Sequence, residues 1–151
     1  MLEKIEELLK SVETAGPVPE QRVLAAEKAL GVRFPRAYRD FLLFHGSAMG
    51  FGWEIYGIDP SRTSEDEPPQ YVDVVKTTLR ARRASRGDHP AQFIEIAHDG
   101  MELGFYLDLS SVEGDDCPVV GQGPGVDFLP VSASFVDFLI AWARDRLEGF
   151  P

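Results

Sequence analysis

Residues 31–58 read GVRFPRAYRDFLLFHGSAMGFGWEIYGI. The middle of this stretch, GSAMGFG at residues 46–52, has the composition of a glycine-rich phosphate cradle. A phosphate loop follows a strand and opens a helix, so that free N–H groups and the positive end of the helix dipole face the anion. The order here is the reverse. Pro35 suits the first turn of a helix. Tyr38, Phe41, Leu42 and His45 then lie near one stripe, with Arg36, Arg39 and Asp40 opposite. Gly46 ends that helix, and its C-terminal carbonyls repel phosphate. Trp53, Ile55 and Ile58, with Tyr56, read as a strand. The Lys-Ser/Thr of a phosphate loop is missing. Gly46 therefore caps a helix, and Gly50 and Gly52 turn the chain into a strand.

Reading toward the N-terminus, Pro19 and Glu20 suit the start of a helix that carries Val23, Leu24, Glu27 and Leu30 and stops at Gly31. Gly16-Pro17 separates it from an amphipathic helix over residues 2–13, marked by Leu2, Ile5, Leu8, Leu9 and Val12. Toward the C-terminus, the polar, proline-bearing stretch Asp59 to Gln70 is a loop. Val72, Val75 and Leu79 mark a fourth helix, flanked by a basic stripe of Lys76, Arg80 and Arg83 with Arg82 and Arg86 nearby. Phe93 to Ala97 is a strand, His98-Asp99-Gly100 supplies hairpin chemistry, and Phe105 to Leu109 returns as its partner. Pro118-Val119-Val120 is a further short strand and Gly121 to Gly125 a loop. Ser134 with Asp137 resembles a capping box, with Asp in the usual Glu place. Phe135, Phe138, Leu139, Trp142 and Leu147 form the closing helix. Strands joined by hairpins imply an α+β fold: one domain over residues 1–151, with a mostly antiparallel sheet of about four to six strands packed against helices at both termini.

The 151 residues suit one domain, and 44% hydrophobic with 26% charged residues is globular composition. The chain has no apolar run of the roughly 20 residues needed to cross a membrane, and the charged stretch MLEKIEELLKSVE does not read as a signal peptide. The single cysteine, Cys117, cannot form an internal disulfide, which points to a reducing cytoplasm. Net charge is −10. Residues 87–151 hold two basic and twelve acidic side chains, so the acidity sits in the C-terminal half. A nucleic-acid binder needs clustered positive charge, and this distribution argues against that role. It favours a basic partner. The basic stripe at 76–83 reads as a solvated helix face.

The order of motifs resembles the SUKH superfamily, which includes fungal cell-wall-assembly regulators and bacterial immunity proteins. The residues that carry the resemblance are Leu30-Gly31, Phe34-Pro35, Tyr38, Phe41-Leu42, Gly46 and Tyr56-Gly57-Ile58. Asp99-Gly100 with the strand Phe105 to Asp108, and Ser134 to Leu139, match the family's central hairpin and final helix. The resemblance spans roughly residues 19–143 and is strongest over 23–58. Family members often carry Asn-Gly after the third helix, where this chain has His45-Gly46.

Signs of chemistry are sparse. His45, His89 and His98 form no pair at metal spacing and none with cysteine. Cys117 follows Asp115 and Asp116, which raise a thiol pKa rather than activate it. No G-x-S-x-G elbow occurs. Glu113, Asp115 and Asp116 lack the D-x-D-x-D-G pattern of a calcium loop. No catalytic residue, metal or cofactor is expected. The resemblance implies a non-enzymatic binding module: an immunity protein that neutralises the toxin domain, for instance a nuclease, of a bacterial polymorphic toxin system. A nuclease active site is basic, so carboxylates that mimic phosphate suit its inhibitor. By charge and loop position the candidate contacts are Glu113, Asp115 and Asp116, then Glu65, Asp66 and Glu67, with Phe51 and Trp53 as aromatic anchors. The alternative reading is an intracellular scaffold or regulator that binds a cellular protein. A small hydrolase or nucleotide-dependent enzyme is a third reading, from a different class.

Overall fold

The computed structural model describes residues 2–148 except 65, 69 and 86–88; the side chains of residues 2, 4 and 145–148 are also outside the description. Glu65 and Arg86, and the Leu2 and Leu147 side chains, therefore fall outside the described residues. The elements in chain order are α1 (Leu2–Leu9), β1 (Glu13–Thr14), α2 (Glu20–Leu30), α3 (Arg36–His45), β2 (Ala48–Gly50), β3 (Trp53–Ile55), α4 (Val74–Ala84), β4 (Phe93–His98), β5 (Gly104–Asp108), a 3-10 turn (Leu109–Ser111), β6 (Val119–Gly123), β7 (Val126–Ser132) and α5 (Phe135–Glu148). The fold is α+β with antiparallel pairing, as the sequence implies. Its strands form two sheets, of order β1-β2-β3 and β4-β5-β6-β7. No helix among the described residues is long and apolar enough to cross a membrane.

The helix punctuation follows the glycines and prolines. Pro19 and Pro35 are the extended N-cap residues of α2 and α3, and Gly31 and Gly46 close them at φ 70° and 74°. Gly46 does more than cap. The Ile58 N–H donates to the Gly46 carbonyl at 2.8 Å, and a Cβ on Gly57 would collide with that carbonyl. A Cβ on Gly46 would lie 2.5 Å from the Gly16 carbonyl oxygen. Three backbone segments meet here, which only glycine permits.

Three strands depart from the sequence reading. The first helix stops at Leu9 instead of residue 13, because Glu13 and Thr14 pair with Met49 and Ala48. The glycine stretch after α3 contains β2, so the turn into β3 is the short Gly50–Trp53 hairpin with Gly52 at φ 78°. The segment 121–125 is not all loop: β6 runs on to Gly123 and turns at Pro124-Gly125 into β7. β7 lies at the sheet edge and carries Pro130, which is tolerated where an N–H is not needed by a second neighbour.

The core sits between α3, α5 and the inner face of the four-stranded sheet. Tyr38 and Phe41 of α3 meet Phe135 of α5 at ring-centroid distances of 5.1 and 5.5 Å. Phe105 of β5 meets Phe138 at 5.3 Å and Trp142 at 4.9 Å. Ile94, Ile96, Leu107 and Val119 complete the inner face, all with no exposed surface. The alternate residues Phe93, Tyr106 and Val120 form a smaller cluster on the outer face, with Phe128 packed against it. The Tyr56 N–H donates to the Ile96 carbonyl at 2.7 Å, which joins the end of β3 to β4 and so links the two sheets.

Candidate functional site

The acidic turn at 113–116 is a two-residue reversal. Glu113 and Asp116 exchange backbone hydrogen bonds of 2.9 and 3.2 Å, and Gly114 takes φ 60°. Glu113 and Asp115 are exposed, but the turn is held from both sides. The Asp115 carbonyl accepts from Ala37 N–H in the first turn of α3 at 2.8 Å. The half-buried Asp116 carboxylate accepts from the backbone N–H groups of Cys117, Phe135 and Val136 at 2.7, 2.8 and 3.3 Å. Asp116 is therefore committed to the start of α5. Beside this turn, Val112 and Gly114 line a groove of about 870 Å³ that also carries Arg33, Arg36 and Arg39. The acidic turn thus borders a groove that carries three arginines.

The second acidic loop is separate. Glu67 Oε1 accepts from the Thr63 hydroxyl at 2.7 Å and the Thr63 N–H at 3.3 Å, which folds the loop on itself. Asp66 is exposed. Thr63 and Ser64 line a different groove, with Arg22, Arg62 and Lys76. The two predicted acidic segments thus border different grooves, and each groove contains arginines. The aromatic candidates also part company: Phe51 is 87% exposed, whereas Trp53 is 5% exposed and belongs to the core.

The carboxylates converge elsewhere, on the outer face of the four-stranded sheet. A groove of about 520 Å³ there is lined by Glu95, Glu102, Asp127, Tyr106, His98 and Arg80, among others. It shares His98 with a second groove of about 400 Å³ that holds Glu54, Tyr56 and Trp53. Among the described residues, Arg80 is the one arginine or lysine lining either groove, against four carboxylates. Burial raises the pKa of Glu95, opposed by the Tyr106 hydroxyl that donates to its Oε2 at 2.9 Å. Burial also raises Glu54, opposed by the Val72 N–H that donates to its Oε2 at 2.6 Å. Tyr56 is pushed up to about 12, first by burial and then by Glu95 and Glu54. These groups therefore share one electrostatic environment, rich in carboxylate and poor in cations.

The chemistry this arrangement supports is the acceptance of positive charge. Among the described residues no group of three or more His, Cys, Asp or Glu is placed to hold a metal ion. The Cys117 thiol is buried and pushed up to about 12, by burial first and then by Asp116 and Asp108. Arg82 of the basic stripe donates to the Leu30 and Ala91 carbonyls at 3.0 and 2.7 Å, so it ties α4 to the rest of the fold. Sequence reasoning missed Glu54, Glu95, Glu102 and Asp127. The signal for two of them was present: Glu54 in Trp-Glu-Ile and Glu95 in Ile-Glu-Ile are single acids inside apolar strands.

Two comparisons with known proteins bear on this geometry. The family described as SMI1 / KNR4 family (SUKH-1) matches residues 17–141. No curated protein matches the chain.

Proposed function

The chain belongs to the SMI1 / KNR4 family (SUKH-1) by its match over residues 17–141, and from that premise we propose that it is an immunity-type binding module that neutralises a basic toxin domain. Members of this family are generally non-enzymatic binding and immunity proteins. The observation that carries the reading is the pair of joined grooves on the outer sheet face, where Glu54, Glu95, Glu102 and Asp127 face one arginine. A basic partner would find there the carboxylates that its own phosphate-binding residues accept. The exposed Asp66, Glu113 and Asp115 add attraction at a distance. Steering of this kind raises association rates by about 10–10³-fold at low salt and fades over a Debye length of about 8 Å at physiological salt.

The test is co-expression of the tagged chain with the product of the neighbouring gene, followed by size exclusion at low and moderate salt. A stoichiometric complex that weakens as salt rises, with rescue of toxin-arrested growth, supports the reading. Charge reversal at Glu102 and Asp127 should weaken that complex more than reversal at Glu113 and Asp115. Absence of both complex and rescue removes the immunity role and leaves a cellular binding partner as the next object of search.

A further inference from the structure

The two most exposed large apolar side chains among the described residues are Phe51 and Met101, at 87% and 84%. Each sits on a hairpin turn beside a glycine of positive φ: Gly52 at 78° in the β2–β3 turn and Gly100 at 82° in the β4–β5 turn. The two turns belong to different sheets, yet they border one groove. Gly50 and Gly52 line it from one turn, and His98 and Gly100 from the other. Exposed apolar side chains at paired loop tips are unfavourable in water and mark contact surfaces when they gather around a concavity.

The groove between these tips is polar at its floor. Glu54 is half-buried; its Oε2 takes the Val72 N–H, while Oε1 has no hydrogen bond among the described residues. Tyr56 lies beside it under the joint field of Glu54 and Glu95. Trp53 lines the groove and is 5% exposed. The indole lies against Gly50, where any Cβ would overlap it, so glycine is required for the ring to sit there. The groove therefore sets the Glu54 carboxylate beside Trp53 and Tyr56, between two turns whose tips expose an aromatic and a thioether.

We infer that this cleft receives an arginine side chain of the basic partner. This inference rests on the immunity reading for the partner's identity, and on the cleft alone for its chemistry. A guanidinium is planar and weakly hydrated, stacks on aromatic faces, and bonds carboxylates with charge assistance. Its three-carbon stem suits the apolar rim, where the flexible Met101 adapts to shape. An acidic or neutral polar side chain would leave Glu54 desolvated without a counter-charge.

The 151-residue chain, labelled with nitrogen-15, is titrated with N-acetyl-arginine amide and, separately, with its lysine and glutamate counterparts. The arginine compound should produce saturable shifts at the Trp53 indole N–H and at the amides of Gly52 and Gly100. Lysine should bind more weakly and glutamate not at all. Glu54→Gln keeps an acceptor for Val72 while removing the charge, and it should weaken binding about tenfold. Phe51→Ser with Met101→Ser, both at exposed positions, should weaken it several-fold with the spectrum otherwise unchanged. Shifts that do not saturate, or that centre on Glu113 and Asp115 or any other surface, overturn the cleft. A toxin complex that forms undiminished with the Phe51→Ser/Met101→Ser variant also overturns it while leaving the immunity reading standing. A failed toxin complex with the native chain removes that reading, and the arginine titration still decides the cleft.

Discussion

Asp116 and Phe135, distant in sequence, are joined by a 2.8 Å hydrogen bond from the Phe135 N–H to Asp116 Oδ1 at the first residue of α5. The same carboxylate takes the Val136 N–H, while Ser134 Oγ takes the Asp137 N–H at 3.1 Å. A negative charge at a helix N-terminus stabilises both the unpaired donors and the dipole. Asp116→Ala should therefore lower stability by about 1–2 kcal/mol in urea unfolding, with Asp116→Asn recovering part of the loss. Partner affinity in the folded variant should be unchanged. A loss of binding without a loss of stability would return Asp116 to the contact surface.

Phe128 is the one described non-glycine residue with positive φ, at 49°. It sits where the β6–β7 pairing slips between Gly121 and Gly123, and its ring stacks on Phe93 at 4.1 Å. The left-handed conformation costs an L-residue about 1–2 kcal/mol relative to glycine. The stack holds Phe128 in place against that cost. Phe128→Ala should lose the stack and keep the strain, whereas Phe128→Gly loses the stack and relieves the strain. Glycine should thus be the less damaging substitution by about 1 kcal/mol, the reverse of its usual rank in a strand. Thermal unfolding of the two variants decides the matter; equal midpoints would show that the conformation is not strained.

Gly57 and Gly46 should tolerate no side chain. At Gly57 the obstacle is the Gly46 carbonyl itself, which accepts the Ile58 N–H and cannot move freely. Gly57→Ala should cost about 1–3 kcal/mol or prevent folding. Gly114→Ala is the contrasting control: its φ of 60° strains the alanine, but a Cβ there would meet nothing within 4 Å. If the two variants unfolded at the same denaturant concentration, the close approach at Gly46 would not be the constraint.

Glu95 gives a pH dependence with a definite sign. Its folded pKa is raised by burial, so the folded state holds a proton more tightly than the unfolded chain. Glu95 therefore disfavours folding increasingly as pH rises from the ordinary carboxylate range through its raised value, and its effect vanishes at lower pH. Glu95→Gln can still accept from Tyr106. Its stability relative to the native chain should be level near about pH 4 and should rise with pH, the gap reading out the shift at about 1.4 kcal/mol per pK unit. Binding of a cation in the joined grooves should follow the same titration and strengthen as Glu54 and Glu95 ionise. A flat difference across that range would mean that Glu95 titrates normally.

How far the sequence reached depends on whether the information was local. Pro19, Gly31, Pro35 and Gly46 punctuate α2 and α3 because fixed or positive φ is written in a single residue. The Asp99 turn was equally local, its carboxylate accepting from the N–H groups of Met101, Glu102 and Leu103. β1 and β2 are two and three residues long and too short to show a period. β7 exposes Leu129 and Val131 at a sheet edge, so its apolar residues do not alternate with burial. The site was the least legible part. Charge-rich loops drew attention to Glu113 and Asp116, but the turn borders a groove lined with arginines and Asp116 caps a helix. Glu54 and Glu95 both act on Tyr56, whose N–H bonds to Ile96 across the two sheets, a contact no spacing encodes.

Cys117 follows the acidic turn and leads into β6, 1% exposed, beside the carboxylate that starts α5. It is the sole cysteine of the chain. A thiol so buried, and held protonated at neutral pH, is closed to alkylating reagents until the α5 end or the turn opens. The protein thus carries a natural clock for its own breathing: the rate of thiol modification counts the openings of the junction where the Asp116 turn holds the start of the C-terminal helix. A partner that clamps this junction would slow the clock, and one that docks on the outer sheet face would leave it running.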